Sequence, residues 1–219
     1  MKKLLIVLIM TFCLSGCKGS YIDAYNMIDK VNTVGEEETF NDVYIKGINY
    51  NKEEETNYIF KKENDNYYIE IDGVKTYIIS NNNAYHVYTN DMKHYKTEEN
   101  IGDILKVYLT INTINPSLND THINIANHLR NLLGLCKDSK AVCKIEKDLF
   151  NKMNIEIIQE SEMSQRISVY MIDNGKIKYV SSEYKEDGIY LKTVLEFDYG
   201  KQKIENIDKS KYEIVNENS

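Results

Sequence analysis

Cysteine and histidine are the residues of this chain best suited to chemistry, and their spacing limits what they can do. Cys136 and Cys143 are separated by Lys137-Asp138-Ser139-Lys140-Ala141-Val142. On one continuous helix that interval would set them about 10 Å apart, beyond the roughly 7 Å limit for a disulfide. A turn at Lys-Asp-Ser-Lys between two helices would instead bring the sulfurs together. The pair is therefore either a bridge stapling that turn or two separate thiols. No histidine lies near in sequence to activate a cysteine nucleophile. The histidines are His86, His94, His122 and His128, and none forms His-Glu-x-x-His. The interval between His122 and His128 is wrong for one helical face, and His86 and His94 fall on or beside expected strands. The acidic runs Glu36-Glu37-Glu38 and Glu53-Glu54-Glu55 lack the Asp-x-Asp-x-Asp-Gly order that calcium wants, and read as solvated turns. Gly-x-Ser-x-Gly, phosphate-loop and dinucleotide fingerprints do not occur. No metal, cofactor or catalytic residue is expected, and the protein is not expected to be an enzyme.

The elements that must position these residues follow from composition and periodicity. The chain has 219 residues, 42% hydrophobic and 28% charged, which suits one globular domain. Tyr 18, Phe 5, Trp 0 and Pro 1 suit β-strands and argue against a proline-rich stalk. A net charge of −7 excludes the basic face that nucleic-acid binding requires.

Residues 1–16 stand apart from the fold. Lys2 and Lys3 precede the uncharged run from Leu4 to Cys13, too short to span a bilayer and shaped like a signal-peptide core. It ends in Leu14-Ser15-Gly16-Cys17, which resembles the lipobox of bacterial lipoproteins. In that family the cysteine receives a diacylglyceryl group and a peptidase cuts just before it. The resemblance implies that Cys17 is the mature first residue and the membrane anchor, with residues 17–20 a short tether. It also implies a bacterial cell membrane location facing outside the cytoplasm. Removing residues 1–16 takes two lysines and no acid, so the mature net charge is −9. One acyl chain binds a membrane marginally and two bind firmly, so a diacylglyceryl anchor would hold this acidic domain without a basic patch.

Residues 21–32 place Ile22, Tyr25, Ile28 and Val31 on one helical face. Gly35 and the acidic run after it are expected to end that helix. From about residue 39 to 96 the period becomes two, with Asn and Asp-Gly turns between short strands, as in an antiparallel meander. A central helical insertion is expected at about 101–153, in three stretches. The first shows Ile104, Leu105, Tyr108 and Leu109, the second Ile125, Leu129, Leu132 and Leu133. The third, 142–153, shows Ile145, Leu149, Phe150 and Met153. Period two then returns. Asp173-Asn174-Gly175 is a strong hairpin signal, residues 189–199 read as a long two-faced strand, 201–207 as its successor, and 212–215 as a final strand.

The order of elements, with Tyr67-Tyr68-Ile69-Glu70-Ile71-Asp72-Gly73 through Tyr85-His86-Val87-Tyr88, resembles lipoprotein-localisation carriers and mycobacterial lipid-carrying lipoproteins. Tyr170-Met171-Ile172-Asp173-Asn174-Gly175-Lys176-Ile177 through Phe197-Asp198-Tyr199-Gly200 carries the same likeness. It implies an α+β fold: one strongly curved antiparallel sheet, an open half-barrel, with the N-terminal helix and the insertion on its concave side. The segment containing Cys136 and Cys143 departs from that pattern. The resemblance implies a lipid or other hydrophobic ligand held between sheet and helices. By alternation the inward side chains are Tyr58, Phe60, Tyr67, Ile69, Ile71, Tyr179, Leu191, Leu195 and Phe197. They line either an acyl cavity or a packed core. The packed alternative makes the protein a cell-surface interaction module.

Overall fold

The computed structural model describes residues 17–37, 40, 42–51, 54–108 and 118–215. Leu14, Ser15 and Gly16 lie outside them, as does the expected helical stretch beyond residue 108. Strand β1 (Cys17–Lys18) leads into helix α1 (Tyr21–Glu37). Ser20 caps α1: its hydroxyl accepts from Asp23 N (3.2 Å), while Asp23 Oδ2 accepts from Ser20 N (3.1 Å). This reciprocal pair satisfies two otherwise orphaned donors. Helix α1 runs past its expected end because Gly35 is buried, with Ile123 of the next long helix within van der Waals reach. Tertiary packing here outweighs the poor helix propensity of glycine.

Six strands follow: β2 (Val43–Asn51), β3 (Glu54–Glu63), β4 (Asn66–Ile71), β5 (Val74–Asn81), β6 (Ala84–Thr89) and β7 (Lys93–Thr97). Helices α2 (Ile101–Tyr108) and α3 (Leu118–Lys137) come next. Five long strands return: β8 (Val142–Lys147), β9 (Lys152–Glu160), β10 (Ser164–Asp173), β11 (Lys176–Glu186) and β12 (Ile189–Tyr199). A 3-10 turn (Lys209–Lys211) and β13 (Glu213–Val215) close the described chain.

Two of these elements differ from expectation. Residues 142–153 form the β8–β9 hairpin and not a third helix. Ile145 and Met153 point into the core, while Leu149 and Phe150 sit exposed in the turn. Their spacing matches a helical stripe by coincidence, and pairing with β9 and β10 decides the outcome. Residues 201–207 form no strand. They cross the sheet as an irregular strap.

Among the described residues thirteen strands make one sheet, ordered β1-β8-β9-β10-β11-β12-β2-β3-β4-β5-β6-β7-β13, with β1 and β13 at its edges. All pairings are antiparallel except β13 with β7. Strands β12 and β2 join the two meanders, Phe197 opposite Ile45 and Leu195 opposite Gly47. The architecture is α+β, a large open sheet covered on one face by helices.

The register carries two rows of side chains, two positions apart on β12, along the same face of the sheet. Ile145, Ile155, Tyr170, Val180 and Leu195 lie opposite one another in turn, and so do Phe197, Ile45, Phe60 and Ile69. Ala24, Ile28 and Val31 of α1 and Ile125, Leu129 and Leu133 of α3 pack on that face as one core. Gly175, in the β10–β11 turn at φ +78°, lies so close to α1 that a Cβ would meet Val34 at 2.9 Å. The residue therefore serves both the turn and the helix contact.

Candidate functional site

The inward set predicted from alternation falls mostly, but not wholly, on the helix-covered face. Tyr58, Phe60, Tyr67, Ile69, Leu195 and Phe197 are buried in the shared core, and Ile71 packs at its margin. Tyr179 is a correction. The β10–β11 register shifts between Met171 and Ile172, so that Met171 faces Tyr179 while Ile172 faces Ile177. Lys178 is the extra residue of a bulge, and a bulge reverses the alternation that follows it. Tyr179 consequently pairs with Glu196 on the opposite face, and Val180 takes the inward position opposite Leu195. Leu191 is the second correction. It shares the parity of Leu195, yet it lies near the free end of β12 beyond the helices and stays 39% exposed.

Sequence reasoning missed the polar centre of this face. His122, on α3, is 0% exposed and stacks on Phe40 with ring centroids 4.5 Å apart. Its Nε2 lies 2.5 Å from the Tyr199 hydroxyl, which also donates to Ile177 O at 2.7 Å. With the hydroxyl proton committed to that carbonyl, the ring donates from Nε2 and Nδ1 is left as a buried acceptor without a partner. Burial first, and the nearby Lys176 second, push the His122 pKa down to about 4. Burial likewise holds the Tyr199 hydroxyl well above its ordinary range. The site joins α3 to β12 across 77 positions of sequence, so no local pattern could have revealed it.

The other candidate groups sit elsewhere. Cys136 at the end of α3 and Cys143 in β8 are joined as a disulfide with Cα atoms 5.8 Å apart, linking a helix to a strand. Cys143 lies opposite the buried Ile157, so the link enters the helix-covered core. His86 Nδ1 and His94 Nε2 meet at 2.8 Å on the other face, where His94 stacks on Tyr88. His128 is far from that pair in the sequence and takes no part in it. Partial burial lowers the pKa of His86 and His94. Among the described residues no group of three or more His, Cys, Asp or Glu is arranged to hold a metal ion.

A surface concavity of about 660 Å³ lies between the β9–β10 and β11–β12 turns and is lined by residues such as Met163, Gln165, Lys185 and Tyr190. A smaller one of about 230 Å³ lies on the opposite face among Tyr44, Lys61, Tyr68 and Tyr77. Neither opens onto the core beneath the helices. Among the described residues no helix is long and apolar enough to cross a membrane. No protein-family model matches the chain, and no curated protein matches it.

Proposed function

We propose that this chain is a non-enzymatic extracytoplasmic protein, held at a bacterial cell membrane by a diacylglyceryl group on Cys17. In this reading its sheet curves as a half-barrel and binds a hydrophobic ligand, an acyl chain of a lipid, along the helix-covered face. The observation that carries the reading is the seam between helices and sheet. Aliphatic and aromatic side chains from nearly every strand face α1 and α3 there, and His122 offers one unfilled acceptor within it. An acyl chain can replace the side chains of α3 against such a wall at little loss of apolar contact. A protonated carboxyl or hydroxyl head could donate to His122 Nδ1, removing the penalty of a buried unpaired acceptor.

A second reading has its own observation. The described concavities lie outside the seam, and Phe60, Ile69 and Leu195 are at most 2% exposed. A close-packed interior suits a cell-surface interaction module. One pair of proteins separates the two. Under the carrier reading the parent binds a fluorescent fatty acid, and Leu195→Ala weakens that binding. A parent that binds none, with Leu195→Ala costing about 2–5 kcal/mol of stability, sinks the carrier reading and leaves the interaction module. The anchor is tested apart from both. Cys17→Ser should leave an unprocessed precursor or release the protein into the medium, and unchanged cleavage and retention would refute it.

A further inference from the structure

The tip of the β8–β9 hairpin carries two adjacent large apolar side chains that the fold does not use. Leu149 is 78% exposed and Phe150 76%. The turn does not depend on them, because Asp148 builds it. Its N–H donates to Lys152 O at 3.0 Å, and its carboxylate accepts from the N–H groups of Phe150 and Lys152, each at 2.8 Å. A shaped turn thus holds both side chains out in front of a core that ends at Met153, opposite Lys147.

The path of the N-terminal chain says what lies in front of that tip. Strand β1 runs antiparallel along the outer side of β8, Lys18 opposite Glu146 and Cys17 opposite Lys147. Gly19 N donates to Ile145 O at 3.0 Å, and a Cβ on Gly19 would stand 2.6 Å from Ile145 Cγ2, so only glycine allows this approach. Followed from Lys18 to Cys17, the chain heads toward the hairpin tip. Two strand residues advance about 7 Å, so Leu149 and Phe150 stand roughly that far ahead of Cys17 in the same direction. The start of α1 adds Ile22, which is also exposed, and Lys147 Nζ bonds Asp23 Oδ1 at 2.9 Å, tying that helix start to the foot of the hairpin.

We propose that this end of the sheet is a membrane-facing lip, in which Leu149, Phe150 and Ile22 enter the bilayer that receives the acyl chains of Cys17. The proposal rests on the reading of Cys17 as the acylated residue and adds an orientation to it. Interfacial apolar groups enter about 5–10 Å below the headgroups, which matches the lead of the tip over Cys17. A single anchor with no further contact would leave the domain free to tumble. A built apolar tip beside it fixes one end against the lipid and turns the far ends of β9 and β10 outward. Met163, exposed in the β9–β10 turn, then faces away from the membrane, roughly 30 Å from the tip along β9.

The chain contains no tryptophan, so Phe150→Trp and Met163→Trp each place a single reporter at an exposed turn where folding is not at stake. The full lipid-modified proteins, purified from bacterial membranes, are reconstituted in phosphatidylcholine vesicles with and without brominated acyl chains. The Phe150→Trp protein should emit to the blue of the Met163→Trp protein and be quenched by the bromolipid, while the Met163→Trp protein should not. Equal, unquenched emission from both, with a diacylglyceryl mass on the N-terminal peptide, overturns the lip and leaves the anchor standing. An N-terminal peptide without that mass overturns the anchor, and the lip with it.

Discussion

The sheet buries side chains on both of its faces, but the two faces are covered in different ways. On one, α1 and α3 lay regular helical stripes over Ile45, Phe60, Ile69 and Leu195. On the other, the irregular strap of residues 200–208 drops Ile204 onto Tyr68, Tyr77 and Tyr88. Those tyrosines belong to a row that runs straight across the strands: Tyr44, Lys61, Tyr68, Tyr77, Tyr88 and His94 lie opposite one another. Lys61 sits over the Tyr68 ring at 5.2 Å, and Tyr68 and Tyr77 tilt together at 5.0 Å. Ile204 N donates to Glu63 Oε2 at 2.9 Å, and beyond the strap β13 pairs with β7 to become the edge of the sheet. The strap replaces helix packing with a few such contacts. Helices satisfy their own backbone within the element, whereas a strap must borrow hydrogen-bond partners from its surroundings. The helix-covered face should therefore hold the bulk of the stability, and the strap should open first.

The sharpest way to break this contrast is to hollow the helix-covered face. Phe60→Ala should cost about 3–5 kcal/mol in urea unfolding, because a buried ring leaves a cavity that the sheet cannot close. A loss no larger than that from a strap substitution would show that the helices do not dominate.

His122 gives the same face a pH signature. Its folded pKa of about 4 lies below the roughly 6.5 of an unfolded histidine, so the unfolded chain binds the proton more readily. Stability from keeping the ring neutral is complete above pH 6.5 and is lost as pH falls toward 4, on the order of 3 kcal/mol. Stability measured across that window should fall more steeply in the parent than in His122→Phe, which keeps the stack on Phe40. Parallel slopes would remove His122 as the cause.

The disulfide pins α3 to β8 beneath this cover. The Cys136→Ala, Cys143→Ala double variant should lose about 2–3 kcal/mol, the loop-closure value for so short a loop. Alkylation of the unfolded, unreduced parent should find neither cysteine reactive, and recovery of two alkylated thiols would contradict the bridge. The smallest effect is expected at the strap. Ile204→Ala should cost about 1 kcal/mol and speed amide exchange in residues 200–213 while α1 and α3 stay protected. Faster exchange in the helices as well would mean that the two covers open as one unit.

Both meanders, the first helix and the core of α3 were legible in the sequence, because alternation and helical spacing report which side of an element meets apolar neighbours. The region that misled was 142–153, where Ile145, Leu149, Phe150 and Met153 match a helical period although two of the four end up in solvent. Nothing local distinguishes that stretch from a helix. The deciding partners are Ile155 and Ile157 of β9 with Tyr170 and Ser168 of β10 behind them. Of the inward set, Tyr179 failed because a bulge in β11 shifts parity, and Leu191 failed because the helices stop short of it.

What the sequence determined by itself was set by forces reaching only a few residues. Asp72-Gly73, Asn174-Gly175 and Asp187-Gly188 all adopt positive φ at both positions, as the sterics of tight hairpins require and as those residue types announce. Ser20 and Asp23 likewise mark a helix start within four residues. The tertiary structure alone decided what depends on distant partners. It joined β12 to β2, brought His122 under Tyr199, and laid Cys17 beside Lys147, so that the exposed hairpin tip stands just beyond the first described residue. Those outcomes are fixed by burial and pairing between segments far apart in the chain, and no pattern within either segment encodes its partner.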